Sequence, residues 1–190
     1  LITFVLSLFM LIGYLPERPG FQYVEAVDWI PTFGIQYKLG VDGLSAALVV
    51  LTTTLTWICI LASFKPIQTR IKEYMIAFLV LEVGMIGVFL ALDLFLFYIF
   101  WEIVLVPMYL IIGVWGGPNR VYAAVKFFLY TLLGSLLLLV AFIYLYGASE
   151  SFAFQDWYRL PLALDTQILL FVAFFLAFAV KVPMWPVHTW

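Results

Sequence analysis

Long apolar runs separated by short polar breaks dominate the chain. A membrane-crossing helix needs about 20 mostly apolar residues. Six segments fit or approach that length: 1–15 (short at its start), 43–64, 74–92, 94–115, 121–146 and 166–190. The connections alternate between long and short. Residues 16–42 carry two alternating runs, "FQYVEAV" and "IQYKLGV", on either side of a bend containing Pro31 and Gly34. Period-two alternation around turn residues predicts a β-hairpin outside the bilayer. "KPIQTRIKEY" is a short basic loop, "LDL" at 92–94 a tight turn, and "GGPNR" a helix break. Residues 147–165 form a second long polar connection.

Composition supports this pattern. Of 190 residues, 66% are hydrophobic and only 11% charged, and the mean hydropathy is +1.15. A soluble domain must cover itself with more polar surface than that. The fold class expected is an all-α polytopic membrane protein with a single membrane domain over 1–190. The chain starts at Leu1 inside an apolar run and stops at Trp190 after "VPMWPVHT", so a piece of a longer membrane protein is expected. No basic patch interleaved with aromatics points to nucleic acid. The single cysteine, Cys59, excludes an intrachain disulfide and a Cys-rich metal or cluster site.

Basic residues orient the bundle. Lys65, Arg70, Lys72 and Arg120 crowd two short loops, whereas Arg18, Lys38 and Arg159 are spread over longer ones. The positive-inside rule places the two short basic loops in the cytoplasm, with 16–42, the Asp93 turn and 147–165 outside. Asp42 and Asp93 sit at helix starts and read as caps. "TTT" at 52–54 reads as packing, and tryptophans near span ends as an interfacial belt.

Four ionisable groups lie inside the spans: Glu82, Glu102, Lys126 and Lys181, with His188 close behind. Each costs several kcal/mol to bury in a bilayer and persists when paired, hydrated or used. Glu82 is 11 residues before Asp93 and Glu102 is 9 after it. At helical rise these carboxylates lie roughly 16 and 14 Å below the outer face, near mid-membrane. Pro107 removes a backbone bond to Ile103, so a kink is expected one turn past Glu102. Pro183 and Pro186, just after Lys181, break the last segment. Such a break is tolerated only where protein or water lines it. A buried carboxylate whose proton affinity depends on a movable cation is the electrostatic element of a proton switch. Lys181, beside the break, fits the cation role. Lys126, about two turns into its helix, can continue a path, and His188 has the chemistry of a shuttle. Structural readings stand beside these. Glu102 and Lys181 can be a static interhelical ion pair, Lys126 can snorkel to the interface, Glu82 can hydrogen-bond a neighbouring helix, and His188 can be satisfied by backbone.

"LFYIFWEIVLVPMYLIIGVWGG", "RVYAAVKFFLYTLLGSLLLLVA" and "FLAFAVKVPMWPVHTW", with "IQYKLGVDGLS" and "GVFLALDLFLFY", resemble the antiporter-like subunit M family of bacterial proton-pumping NADH:quinone oxidoreductase, respiratory complex I, whose mitochondrial counterpart is subunit 4. The resemblance covers nearly the whole chain and is weakest at 16–30 and 147–165. It implies that the six spans are the second to seventh helices of an antiporter-like fold of about fourteen, built from inverted repeats with a broken helix near Lys181–Pro186. It implies that Glu102 and Lys181 form the pair of a proton half-channel, with Lys126, His188 and, least firmly, Glu82 assisting. It also implies other complex I membrane subunits as partners, a bacterial inner (cytoplasmic) membrane location, and a translocase role with no redox chemistry in this chain. NADH, FMN, iron–sulfur clusters and quinone would belong to other subunits, and no cofactor or metal is expected here. The rival readings are a subunit of an Mrp-type cation/proton antiporter or membrane-bound hydrogenase, and a non-transporting structural helix bundle.

Overall fold

The computed structural model describes residues 1–190 throughout. The helices are α1 (Ile2–Gly13), α2 (Gly43–Ser63), α3 (Ile71–Leu90), α4 (Leu94–Ile103), α5 (Leu105–Trp115), α6 (Arg120–Ser149), α7 (Phe154–Trp157) and α8 (Leu164–Lys181). Two strands, β1 (Gln22–Ile30) and β2 (Ile35–Val41), join α1 to α2. Five spans are long and apolar enough to cross a membrane, with α4 and α5 counted as one; α1 is apolar but shorter. Large apolar side chains lie exposed along these helices, Leu133 at 66% and Leu169 at 71% among them. That is what a lipid-facing surface requires, since only its backbone polarity must be hidden from the bilayer.

Three boundaries differ from the sequence reading. Helix α3 starts at Ile71, inside the basic loop, because "IKEY" is a good helix-forming run and Glu73 sits in its first turn. Helix α6 runs on to Ser149, where Glu150 closes it in the left-handed region at φ 56°. The last helix ends at Lys181 rather than near 190, since Pro183 has no N–H to continue it.

The hairpin is antiparallel, pairing Ala26 with Lys38 and Val27 with Tyr37. A short 3-10 turn at Pro31–Phe33 reverses the chain, and Gly34 at φ 65° supplies the left-handed residue that closes it. The strand pairing extends through "DWI", past the run recognised in the sequence. β1 is exposed over most of its length, because a two-stranded ribbon has no third layer to cover its outer face.

The turn at Ala91–Asp93 is wedged between two loops. Leu92 N donates to Lys38 O (2.9 Å) and Leu94 N to Phe152 O (3.0 Å). The hairpin, this turn and the 147–163 connection therefore lie at one end of the bundle. At the other end the Trp115 indole donates to Thr69 O (2.8 Å), tying the two basic loops together.

Asp42 and Asp93 both cap helices. Asp42 accepts from Ser45 N (2.7 Å), and the Ser45 hydroxyl accepts from Asp42 N in return (2.8 Å). Asp93 accepts from Phe95 N and Leu96 N at 2.9 and 3.1 Å. It also accepts from Gln36 N on β2 (3.1 Å), a long-range bond no local pattern announces. Asp93 is almost completely buried. Burial pushes its carboxyl up, opposed by these three backbone donors and by Lys38.

Candidate functional site

The site lies where α8 ends against α4. Glycines set the helix spacing around it. A Cβ on Gly87 would run into the Phe100 ring, and one on Gly84 would meet Val104 Cγ2 at 2.8 Å. A Cβ on Gly134 would meet Val180 Cβ at 2.9 Å. At these three positions a side chain could enter only if its neighbour shifted, so the glycines let α3 approach α4 and α6 approach α8 closely, as small residues do in membrane bundles.

Pro107 produces the break in the 94–115 span, although not one turn past Glu102. The helix is interrupted at Val104, two residues after Glu102. The missing N–H and the ring act on the carbonyl four residues back, so the damage falls on the N-terminal side of the proline. The flanking bonds, Val104 N to Phe100 O and Met108 N to Val104 O, are both stretched to 3.4 Å. Glu102 thus sits in the last turn of α4, and its Oε1 is buried without a hydrogen-bond partner.

Lys181 is the last residue of α8, and its side chain crosses to α4. Its Nζ donates to Trp101 O at 3.1 Å and lies 4.8 Å from the centre of the Trp101 ring. Glu102 is within Coulombic reach of the ammonium, yet no ion pair joins them. The ion pair present is Arg70–Glu73, on the surface at 3.6 Å. The expected Glu102–Lys181 pair is therefore a juxtaposition in which the cation rests on the neighbouring carbonyl and indole. Phe97 stacks on Trp101, and Phe178 meets it edge-on. These rings place apolar surface beside the two charges, where a lower local dielectric strengthens their interaction.

Two backbone carbonyls beside the break after α8 find protein donors. The Trp190 indole donates to Val180 O (2.7 Å), a carbonyl left without its helical partner. Met184 N reaches Ala179 O (2.8 Å). Residues 182–190 thereby return toward α6, where Phe127 meets Trp190 at 5.0 Å. Lys126 joins the same segment: its Nζ donates to Thr189 O at 2.7 Å, beside His188. His188 is exposed, as are Pro183 and Pro186. Glu82 is buried on α3 at 6% exposure and forms no ion pair. No group of three or more His, Cys, Asp or Glu side chains is placed to hold a metal ion.

Trp101 and Trp190 are the residues the sequence reading missed. Trp101 carried a signal, because it stands in the middle of a span rather than at its end, where an interfacial tryptophan belongs. Trp190 carried none, since its partner is a carbonyl exposed only by the fold.

Residues 91–190 match the family model described as NADH:quinone oxidoreductase/Mrp antiporter, TM. The chain belongs to this antiporter-like membrane family. Residues 1–96 match a second model, NADH-ubiquinone oxidoreductase chain 4, amino terminus. Among curated relatives, the chain is 53% identical to NADH-quinone oxidoreductase subunit M of Rhodobacter capsulatus, covering all of this chain and 39% of that one. Among solved structures, a chain of respiratory complex I from Thermus thermophilus with bound NADH superposes with a TM-score of 0.85 at 32% identity, over all of this chain and 39% of the other. The Mrp complex from Dietzia sp. DQ12-45-1b gives 0.84 at 19% identity, over 99% and 21%, and shares the fold. The chain spans about two fifths of the length of the curated relatives it matches.

Proposed function

We propose that the chain is part of a proton-translocating membrane subunit of NADH:quinone oxidoreductase, in which electron transfer from NADH to quinone elsewhere in the complex drives proton movement here. It would sit in the bacterial inner membrane beside other antiporter-like subunits. The observation that carries this reading is Lys181, suspended from a broken helix end against the residue that precedes Glu102. Subunit M relatives at 53% and 46% identity support the oxidoreductase reading over the Mrp reading, whose structural likeness is 19% identical.

Glu102 holds or releases a proton according to how close the Lys181 ammonium lies. In a dry, aromatic surround, a short displacement of a unit charge changes a carboxylate's proton affinity strongly, because Coulomb energy scales inversely with both distance and dielectric. Pro107 and Pro183 loosen the backbone beside each partner, so the separation is adjustable. A conformational pulse from the redox half shifts Lys181 toward or away from Glu102. Glu102 then takes up or gives up its proton, and Lys181, Lys126 and His188 carry it onward. No redox step involves this chain's own residues.

Glu102→Gln in the assembled complex tests the reading. NADH oxidation with proton pumping abolished and assembly intact is the expected result. Full pumping would sink it. Co-purification with NADH-oxidising subunits separates it from an antiporter without a redox partner. If Glu102 and Lys181 together can be replaced by apolar residues without loss of pumping, the chain is a structural bundle.

A further inference from the structure

A proton switch built on Glu102 and Lys181 needs two stations for the cation, one on the carboxylate and one off it. The Glu102 station is evident in the sequence. The structure shows Lys181 at another place. Its ammonium donates to the Trp101 carbonyl (3.1 Å) and lies 4.8 Å from the Trp101 ring centre. One residue thus supplies both contacts. The carbonyl belongs to the last turn of α4, at the negative end of that helix's dipole. The ring presents its electron-rich face to a partly desolvated cation, the arrangement in which cation–π attraction is greatest. The ring itself is fixed by Phe97 stacked at 5.6 Å and Phe178 edge-on at 5.5 Å. On the next residue, Glu102 Oε1 is buried and has no hydrogen-bond partner.

We propose that Trp101 is a positioning residue that holds Lys181 off Glu102, forming the resting station of the switch. This rests on the proton-translocation reading above and adds the second binding place that reading requires. Moving Lys181 between stations exchanges a carbonyl and a ring face for a carboxylate. The two are neighbours in sequence, so the cation travels a short way along the last turn of α4. Because Trp101 competes with Glu102 for the ammonium, weakening the ring contact leaves Lys181 on the carboxylate and slows the cycle.

The experiment replaces Trp101, in the assembled complex, with tryptophan analogues bearing one, two and three ring fluorines. Fluorination drains the ring face of electron density and scarcely changes its shape. Proton pumping driven by NADH is expected to fall stepwise with fluorine number, by about tenfold across the series, the range a desolvated cation–π contact allows. A ring that only fills space gives a flat series, and that result overturns the proposal. A second measurement covers a failure of the analogues to incorporate. In Trp101→Phe, cryo-electron microscopy is expected to show the Lys181 amine on the Glu102 carboxylate. An amine still on the residue-101 carbonyl overturns the proposal. Glu102→Gln is run in parallel. If that variant pumps fully, the translocation reading fails as well; if it is silent while the fluorine series is flat, only the role of Trp101 fails.

Discussion

The Lys181 amine lies 3.1 Å from the backbone oxygen of Trp101 and not on the carboxylate of Glu102. Two opposite charges on neighbouring spans would be expected to close on each other, since an unpaired charge in a bilayer costs several kcal/mol. Here the ammonium is instead satisfied by a helix-end carbonyl and an aromatic face.

Removing the charge of Lys181 while keeping its length isolates that role. Lys181→Met loses one carbonyl bond and one ring contact but keeps the aliphatic stem. The complex is expected to assemble, oxidise NADH and pump no protons. Fluorescent pH-probe quenching in inverted vesicles reports the loss, and wild-type quenching would contradict it.

Pro107→Ala restores an N–H facing the Ile103 carbonyl. The interruption at Val104 is expected to heal, strengthening α4–α5 as a single helix, since a proline in a helix interior costs about 3 kcal/mol or more. Proton pumping is expected to drop severalfold while heat resistance of the subunit rises. A variant that pumps normally would show that the break beside Glu102 has no part in transport.

Gly87→Ala drives a methyl group against the Phe100 ring. Overpacking of this kind costs about 1–3 kcal/mol. Reduced subunit incorporation on native gels is expected, with recovery when Phe100→Leu is added. Failure of the second substitution to restore assembly would place the damage elsewhere.

Asp93→Ala removes two cap bonds and the tie to Gln36 at once. A cost of at least about 1–2 kcal/mol is expected from the lost cap alone. The cost depends on pH. Burial raises the Asp93 carboxyl above its unfolded value, so the folded state holds that proton more tightly than the unfolded chain. The stabilisation is complete below the ordinary carboxylate range and is lost as pH rises through the raised folded value. The gap in thermal midpoint between wild type and Asp93→Ala is therefore expected to be wider in acid than at neutral pH. A gap that widens toward neutral pH would contradict this sign.

What the sequence made legible follows from how local each cause is. Apolar length identified the long spans, because bilayer thickness acts on each helix separately. The cap at Asp42 was readable because donor and acceptor are three residues apart. Glu102 and Lys181 stood out because charge in an apolar run is anomalous wherever it falls. The break at Val104 lies about two residues nearer Glu102 than expected, since a proline distorts the whole turn that precedes it and not one fixed position. The Asp93–Gln36 bond, the Lys126–Thr189 bond and the Trp190 indole on Val180 were not readable at all. Each joins residues remote in sequence through a backbone group, and backbone groups leave no mark on residue identity. The rest position of Lys181 belongs with these, since its acceptor is a carbonyl every residue possesses.

The wedged turn at Ala91–Asp93 has a mechanical consequence. From the Asp93 cap to the interruption at Val104, α4 is an unbroken rod of ten residues, about 15 Å long. Its upper end is clamped from both sides by the hairpin and by the strand-like stretch at Phe152–Ala153, and its lower end carries Trp101 and Glu102. A rod clamped at one end and hinged at the other transmits tilt. On the proposed function, a push on the hairpin surface is expected to reach Glu102 as a displacement of the carboxylate relative to Lys181.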